Sequence, residues 1–222
     1  MGGTHSPNLE SSTYSSLVTH KFNSSASVER IESYAFFDSN LESITFNPTS
    51  SFDEDKYLPG LTSIGMSAFE GTLMRSIKFP STLEIIDEEA FSSCLSLNDV
   101  AIPSSVEKIG REAFSSSNVM KVVFSSESSL RTIENGVVQD CKNLRMFLIP
   151  SSVEYIEDEA FRDCSELRVI RCLSDSNLRR VRPRAFDGCY NLAPFPPLFP
   201  IESDDDAHEC AYEDDNCDNW SW

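Results

Sequence analysis

Basic residues are scarce in this chain of 222 residues: 18 Lys and Arg stand against 36 Asp and Glu, for a formal net charge of −18. So acidic a surface repels phosphate backbones and anionic headgroups, which argues against nucleic acid or an anionic membrane as a direct partner. Long apolar runs are missing too. None approaches the ~18 residues that a transmembrane segment needs, and before residue 30 the longest aliphatic run is Leu17-Val18. Without a basic segment followed by an apolar one, no cleaved signal peptide is expected, and the default compartment is the cytoplasm. Histidine is rarer still, confined to His5, His20 and His208. No glycine-rich phosphate loop and no Gly-x-Ser-x-Gly elbow is present, so an enzyme is not expected and no cofactor is implied.

What the chain does have is repetition. The pair Ala-Phe recurs at Ala35-Phe36, Ala68-Phe69, Ala90-Phe91, Ala113-Phe114, Ala160-Phe161 and Ala185-Phe186, with Val137-Val138 in the same slot. The second members are separated by 33, 22, 23, 24, 23 and 25 residues. Upstream of each pair an aliphatic residue is followed three later by Ile or Val, as in Leu83/Ile86 and Val153/Ile156. Downstream comes the spacing Leu-x-x-Leu-x-Leu, as in Leu97/Val100/Ile102 and Leu144/Phe147/Ile149. The last two residues of each triple alternate with non-core positions, as a strand with one buried face requires. Pro80, Pro103 and Pro150 then end three of these strands because they cannot donate to a ladder. Acids such as Asp87-Glu88-Glu89 and Glu157-Asp158-Glu159 precede the Ala-Phe pair, where they suit the first turn of a short helix.

A repeat of about 23 residues cannot bury its own apolar side, whereas stacked neighbours can. The expected fold is therefore a β-rich leucine-rich-repeat solenoid of the α/β class. Each of seven repeats should supply one parallel strand plus a short helix or turn, and the strands should line a concave sheet. The expected organisation is a disordered Ser-rich leader over 1–16, a half-repeat cap over 17–27, the repeat domain over 28–200 and an acidic tail over 201–222. That tail holds nine of the acids and no Lys or Arg, so the first 200 residues carry a charge of −9.

The units Ile-Pro-Ser-Ser-Val-Glu-Lys-Ile-Gly-Arg-Glu-Ala-Phe (102–114) and Ile-Pro-Ser-Ser-Val-Glu-Tyr-Ile-Glu-Asp-Glu-Ala-Phe-Arg-Asp-Cys (149–164) resemble the BspA-like, or treponemal, leucine-rich repeat. The resemblance covers about residues 24–195. It implies a right-handed solenoid and a role in adhesion or protein binding, at bacterial and protozoan cell surfaces or in the cytoplasm. This chain departs from exported members in showing no export signal.

Strand residues flanking the middle core position should face the concave side. There Val123, Met146, Leu148 and Val169, bordered by Lys78, Lys121 and Arg171, have the composition of a protein-binding patch, an apolar centre with a charged rim. Scattered exposed apolar residues, or a face covered by the tail or by a second chain, are the plainer readings. A second candidate is the insertion of about eleven residues around 49–60 between the first two Ala-Phe pairs, since long insertions map to surface loops. Its Phe52, Tyr57 and Leu58 could anchor a partner or plug the first rung. Met1-Gly2-Gly3-Thr4-His5-Ser6 fits the loose pattern for acylation of Gly2, the alternative being a plain leader.

Cys94, Cys141, Cys164 and Cys189 each stand three residues after the Phe slot, and Cys172 fills a strand slot. They read as small buried core residues; stacked side chains point in parallel, which disfavours disulfides between rungs. His208, Cys210 and Cys217 fall short of the four ligands of a structural zinc site, so no metal is assigned. The partner expected is a protein, bound by a chain that is itself a monomer. A microbial surface adhesin, reached by lipidation or unconventional export, is the alternative.

Overall fold

The computed structural model describes residues 28–46, 60–172 and 176–193, and the backbone alone of 19–22. Gly2, the insertion residues Phe52, Tyr57 and Leu58, and the tail with His208, Cys210 and Cys217 lie outside the described residues.

Within them the chain alternates long and short strands. In order these are β1 (Thr19–Phe22), β2 (Arg30–Ile31), β3 (Ser43–Phe46), β4 (Ser63–Ile64), β5 (Ser76–Lys78), β6 (Ile85–Ile86) and β7 (Asp99–Ile102). They continue as β8 (Lys108–Ile109), β9 (Lys121–Phe124), β10 (Thr132–Ile133), β11 (Met146–Ile149), β12 (Tyr155–Ile156), β13 (Val169–Cys172) and β14 (Arg180–Val181). Every pairing is parallel and joins one repeat to the next. Long strands β5 to β13 form one five-stranded sheet, and short strands form a second line of sheets. This is a leucine-rich-repeat solenoid. Within the segment expected to form the half-repeat cap, β1 pairs with β3, Thr19 opposite Ser43 and Phe22 opposite Phe46.

Between the two strand lines runs a continuous core. Phe36, Phe69, Phe91 and Phe114 are buried and stack nearly parallel, with centroids 5.2, 5.2 and 5.3 Å apart. The fifth rung breaks this file with Val138, and the missing ring comes from the strand instead. Phe147 fills a core slot that holds Ile77, Val100, Val122 or Ile170 in other rungs, and meets Phe161 edge-on at 4.8 Å. Total volume is kept while the large residue moves across the rung, which is what close-packed interiors tolerate.

No helix precedes the Ala-Phe pairs, which corrects the helical reading of the acidic stretches. Among the described residues ten non-glycine positions have positive φ, including Glu89 (55°), Ser93 (56°), Glu112 (55°), Ser116 (54°), Glu159 (59°) and Asp163 (56°). A helix needs consecutive right-handed residues, and this backbone changes hand around each Phe. The exchange redirects hydrogen bonds. Alternate N–H groups leave the rung: Glu89 donates to Arg111 O (2.9 Å), Phe91 to Ala113 O (2.7 Å) and Ser93 to Ser115 O (2.8 Å). Those between close local turns, as Ser92 does on Glu89 O (2.9 Å). Left-handed φ costs each residue about 1–2 kcal/mol, and the ladder to the next rung offsets it by pairing backbone groups that would otherwise be buried and unsatisfied. A helix would satisfy the same groups internally and leave the rungs unjoined.

Candidate binding face on the long-strand sheet

Parallel register lines up the outward residues of the long strands into columns. One column runs Ser76, Asp99, Lys121, Met146 and Val169; the other runs Lys78, Ala101 and Val123, and continues with Leu148 beside Arg171. The seven residues singled out in the sequence thus share one face. Lys78, Lys121 and Arg171 are exposed, and Val123 is 37% exposed. Met146, Leu148 and Val169 are half-buried, each shielded by its neighbours in the column.

A third set lines up beside this face, rung on rung, and was missed in the sequence. The residue just before each long strand from β3 on is Glu42, Arg75, Asn98, Met120, Arg145 or Arg168, and in the second to sixth rungs all but Asn98 are exposed. The signal was available, since both intervening positions of Leu-x-x-Leu leave the core, but only the alternating positions were read as outward. Among the described residues no carboxylate lies within salt-bridge distance of Arg75, Lys78, Lys121, Arg145 or Arg171. Elsewhere arginines are neutralised: Arg131 and Arg179 both reach Glu154 (2.5 and 3.2 Å), and Arg182 reaches Glu157 (3.4 Å).

The cysteines form a different column with a structural task. Cys94, Cys141, Cys164 and Cys189 each donate a thiol hydrogen bond to the carbonyl of the preceding rung's Phe-slot residue, namely Phe69, Phe114, Val138 and Phe161, at 3.0–3.1 Å. Thr72 and Ser117 occupy the same slot and donate to their own rung's Phe69 and Phe114 carbonyls at 2.8 and 2.7 Å. What the slot selects is therefore a small donor, a property that reading the cysteines as plain hydrophobes did not capture. Ser39 begins the column, buried, with its Oγ unpaired. Burial pushes the Cys94 and Cys141 thiols up to about 11, so neither is a thiolate nucleophile near neutral pH. The neighbouring Cys189 side chain and burial together hold the Cys164 thiol up, while the Cys164 side chain draws Cys189 down against its own burial. All five described cysteines are free, and among the described residues no three His, Cys, Asp or Glu gather as a metal site. No described helix is long and apolar enough to cross a membrane.

Comparison with known proteins agrees with this geometry. The family model for the BspA-type leucine-rich repeat region matches six copies over residues 8–56 and 62–193. Among solved structures, a leucine-rich cell surface protein of Faecalibacterium prausnitzii is similar, with 23% identity and a TM-score of 0.53 over 75% of this chain and 50% of that one. So is a leucine-rich-repeat protein of Eubacterium ventriosum, with 19% identity and a TM-score of 0.56 over 82% of this chain and 61% of that one. The chain spans one half to about three fifths of the length of these two structures, and at such identities the likeness is one of fold. No curated protein matches it in sequence. With the repeat matched over most of its length, its phenylalanine file and its paired strand lines, the chain belongs to the BspA-type leucine-rich-repeat family.

Proposed function

We propose that the chain is a non-enzymatic scaffold that binds a protein partner through its long-strand face. The observation that carries this reading is the pair of columns in which Val123, Met146, Leu148 and Val169 lie together with Lys78, Lys121 and Arg171, which have no salt-bridge partner among the described residues. Apolar side chains clustered on a sheet face, with cations around them, provide desolvation at the centre and orientation at the rim. No nucleophile and base come together on this face, so binding is the chemistry its residues offer. The insertion residues Phe52, Tyr57 and Leu58 are a second contact candidate on the same scaffold, which acts as a monomer.

Affinity capture with the native chain beside a Val123→Asp/Leu148→Asp variant tests the assignment. Both sites project outward, so circular dichroism is expected to be unchanged while partner recovery falls at least ~100-fold, as when charges are buried unpaired at an interface centre. Equal recovery from both proteins would remove the face from consideration and leave the insertion as the contact surface.

A second reading is display at a cell surface, favoured by the description of the F. prausnitzii neighbour as a cell surface protein. Acylation at Gly2 is one route to it. Membrane association that is lost in a Gly2→Ala variant on fractionation is the expected result; association that persists would dismiss the lipid route.

A further inference from the structure

The long-strand face has a charge opposite to that of the chain as a whole. Across the second to sixth rungs its two outward positions per strand, with the residue just before each strand, hold six cations, Arg75, Lys78, Lys121, Arg145, Arg168 and Arg171, against one anion, Asp99. Among the described residues only Arg168 of these six has a salt-bridge partner, Glu166 at 3.0 Å; in the first rung Glu42 closes the column that precedes the strands. A third of all Lys and Arg in a chain of net charge −18 is thus gathered along one side of one sheet, mostly without a carboxylate partner among the described residues. Met120, Val123, Met146 and Leu148 lie among them. The complementary ligand is a peptide that is strongly acidic and also apolar.

Residues 201–222 of this same chain have that composition. They carry nine carboxylates and no cation, with Tyr212, Trp220 and Trp222 interspersed or following, and these are the only two tryptophans in the protein. The path is short. Ala193, the last described residue, donates its N–H to the Arg168 carbonyl (3.3 Å), so the described chain ends beside this face. From there Lys78 is five rungs away, about 24 Å at the spacing of paired strands. The nine residues from Ala193 to Glu202 alone can extend about 30 Å.

We propose that the acidic segment 201–222 binds the long-strand face of its own chain, as an intramolecular ligand that a protein partner must displace. The proposal rests on the reading of that face as the binding site. Tethering makes the contact effective even where each ion pair is weak, because the segment's local concentration is in the millimolar range. It also specifies the partner: a protein presenting an acidic segment with aromatic or aliphatic anchors competes for the same positions.

Trp220 and Trp222 report on the contact directly in the full chain. Acrylamide quenching of tryptophan emission is expected to be at least about twofold weaker than in a free peptide of residues 201–222, at any protein concentration. It should rise to the peptide's value in a Lys121→Glu/Arg171→Glu variant of unchanged circular dichroism, and in about 1 M NaCl, where screening shortens the Debye length to ~3 Å. Quenching equal to the free peptide in the native chain would overturn the proposal. So would protection that grows with protein concentration, which assigns the contact to a second copy, or protection indifferent to the charge reversal. The two readings fail separately. Protection with partner recovery untouched by Val123→Asp/Leu148→Asp would overturn the face as a protein-binding site and keep the tail on it. Loss of the partner in that variant, with unprotected tryptophans, would do the reverse.

Discussion

Replacing Phe91 with alanine is expected to lower the stability of the solenoid by about 3–5 kcal/mol, the range for emptying a large aromatic site in a packed core. The ring is fully buried, stacked between Phe69 and Phe114 at 5.2 and 5.3 Å, and touched edge-on by Phe79 at 5.7 Å. Its neighbours cannot collapse into the space, because their rungs are held by the Phe69–Ala90 and Phe91–Ala113 backbone bonds at 2.9 and 2.7 Å. In a repeat array each rung touches only the next, so the loss falls on the contacts that join the N-terminal rungs to the C-terminal ones. Denaturant unfolding followed by circular dichroism measures it as a fall in the transition midpoint. A midpoint within error of the native chain would show that the phenylalanine file does not carry the packing energy assigned to it.

Gly110→Ala is the second change with a large expected effect, about 1–3 kcal/mol of overpacking strain, at the upper end of that range. A Cβ on Gly110 would stand 2.5 Å from the Glu88 nitrogen, 2.7 Å from the Asp87 carbonyl carbon and 3.0 Å from the Glu88 Cα. All three are backbone atoms of the neighbouring rung, so no side chain can rotate aside. Relief requires the rungs to part, which stretches the Gly110 N–H to Ile86 O bond of 2.8 Å. The same unfolding experiment reads it, and a variant as stable as the native chain would mean that the rungs separate freely at this point. The repeat pattern alone predicts no such penalty, since the slot following the short strand holds Asp87 and Glu157 in other rungs.

Gly110 marks the limit of what was legible in the sequence. The core was legible because each apolar slot recurs at its own offset from the Ala-Phe pair; Leu83, Ile86, Ala90, Phe91, Leu97, Val100 and Ile102 are all buried as that spacing demands. The long strands and their parallel stacking followed from the same alternation. The candidate face was legible in part: Lys78, Lys121, Val123, Met146, Leu148, Val169 and Arg171 share one sheet face, but Arg75, Met120, Arg145 and Arg168 were not read as part of it.

By itself, then, the sequence determined the period, the buried set and the family, since burial acts on each residue through its own side chain and repeats leave that preference in plain view. Tertiary structure alone decided the hand of the backbone at Glu89, Glu112 and Asp163, where no glycine signals a left-handed residue and the reward is a hydrogen bond to a rung more than twenty positions away. It also decided the transfer of a ring from the Val138 slot to Phe147 and the shared donor slot of Thr72, Cys94, Ser117 and Cys141. The close approach at Gly110 and the gathering of cations along one sheet belong to the same group. Each of these depends on which atoms of adjacent rungs meet, a relation between distant positions that no local pattern encodes.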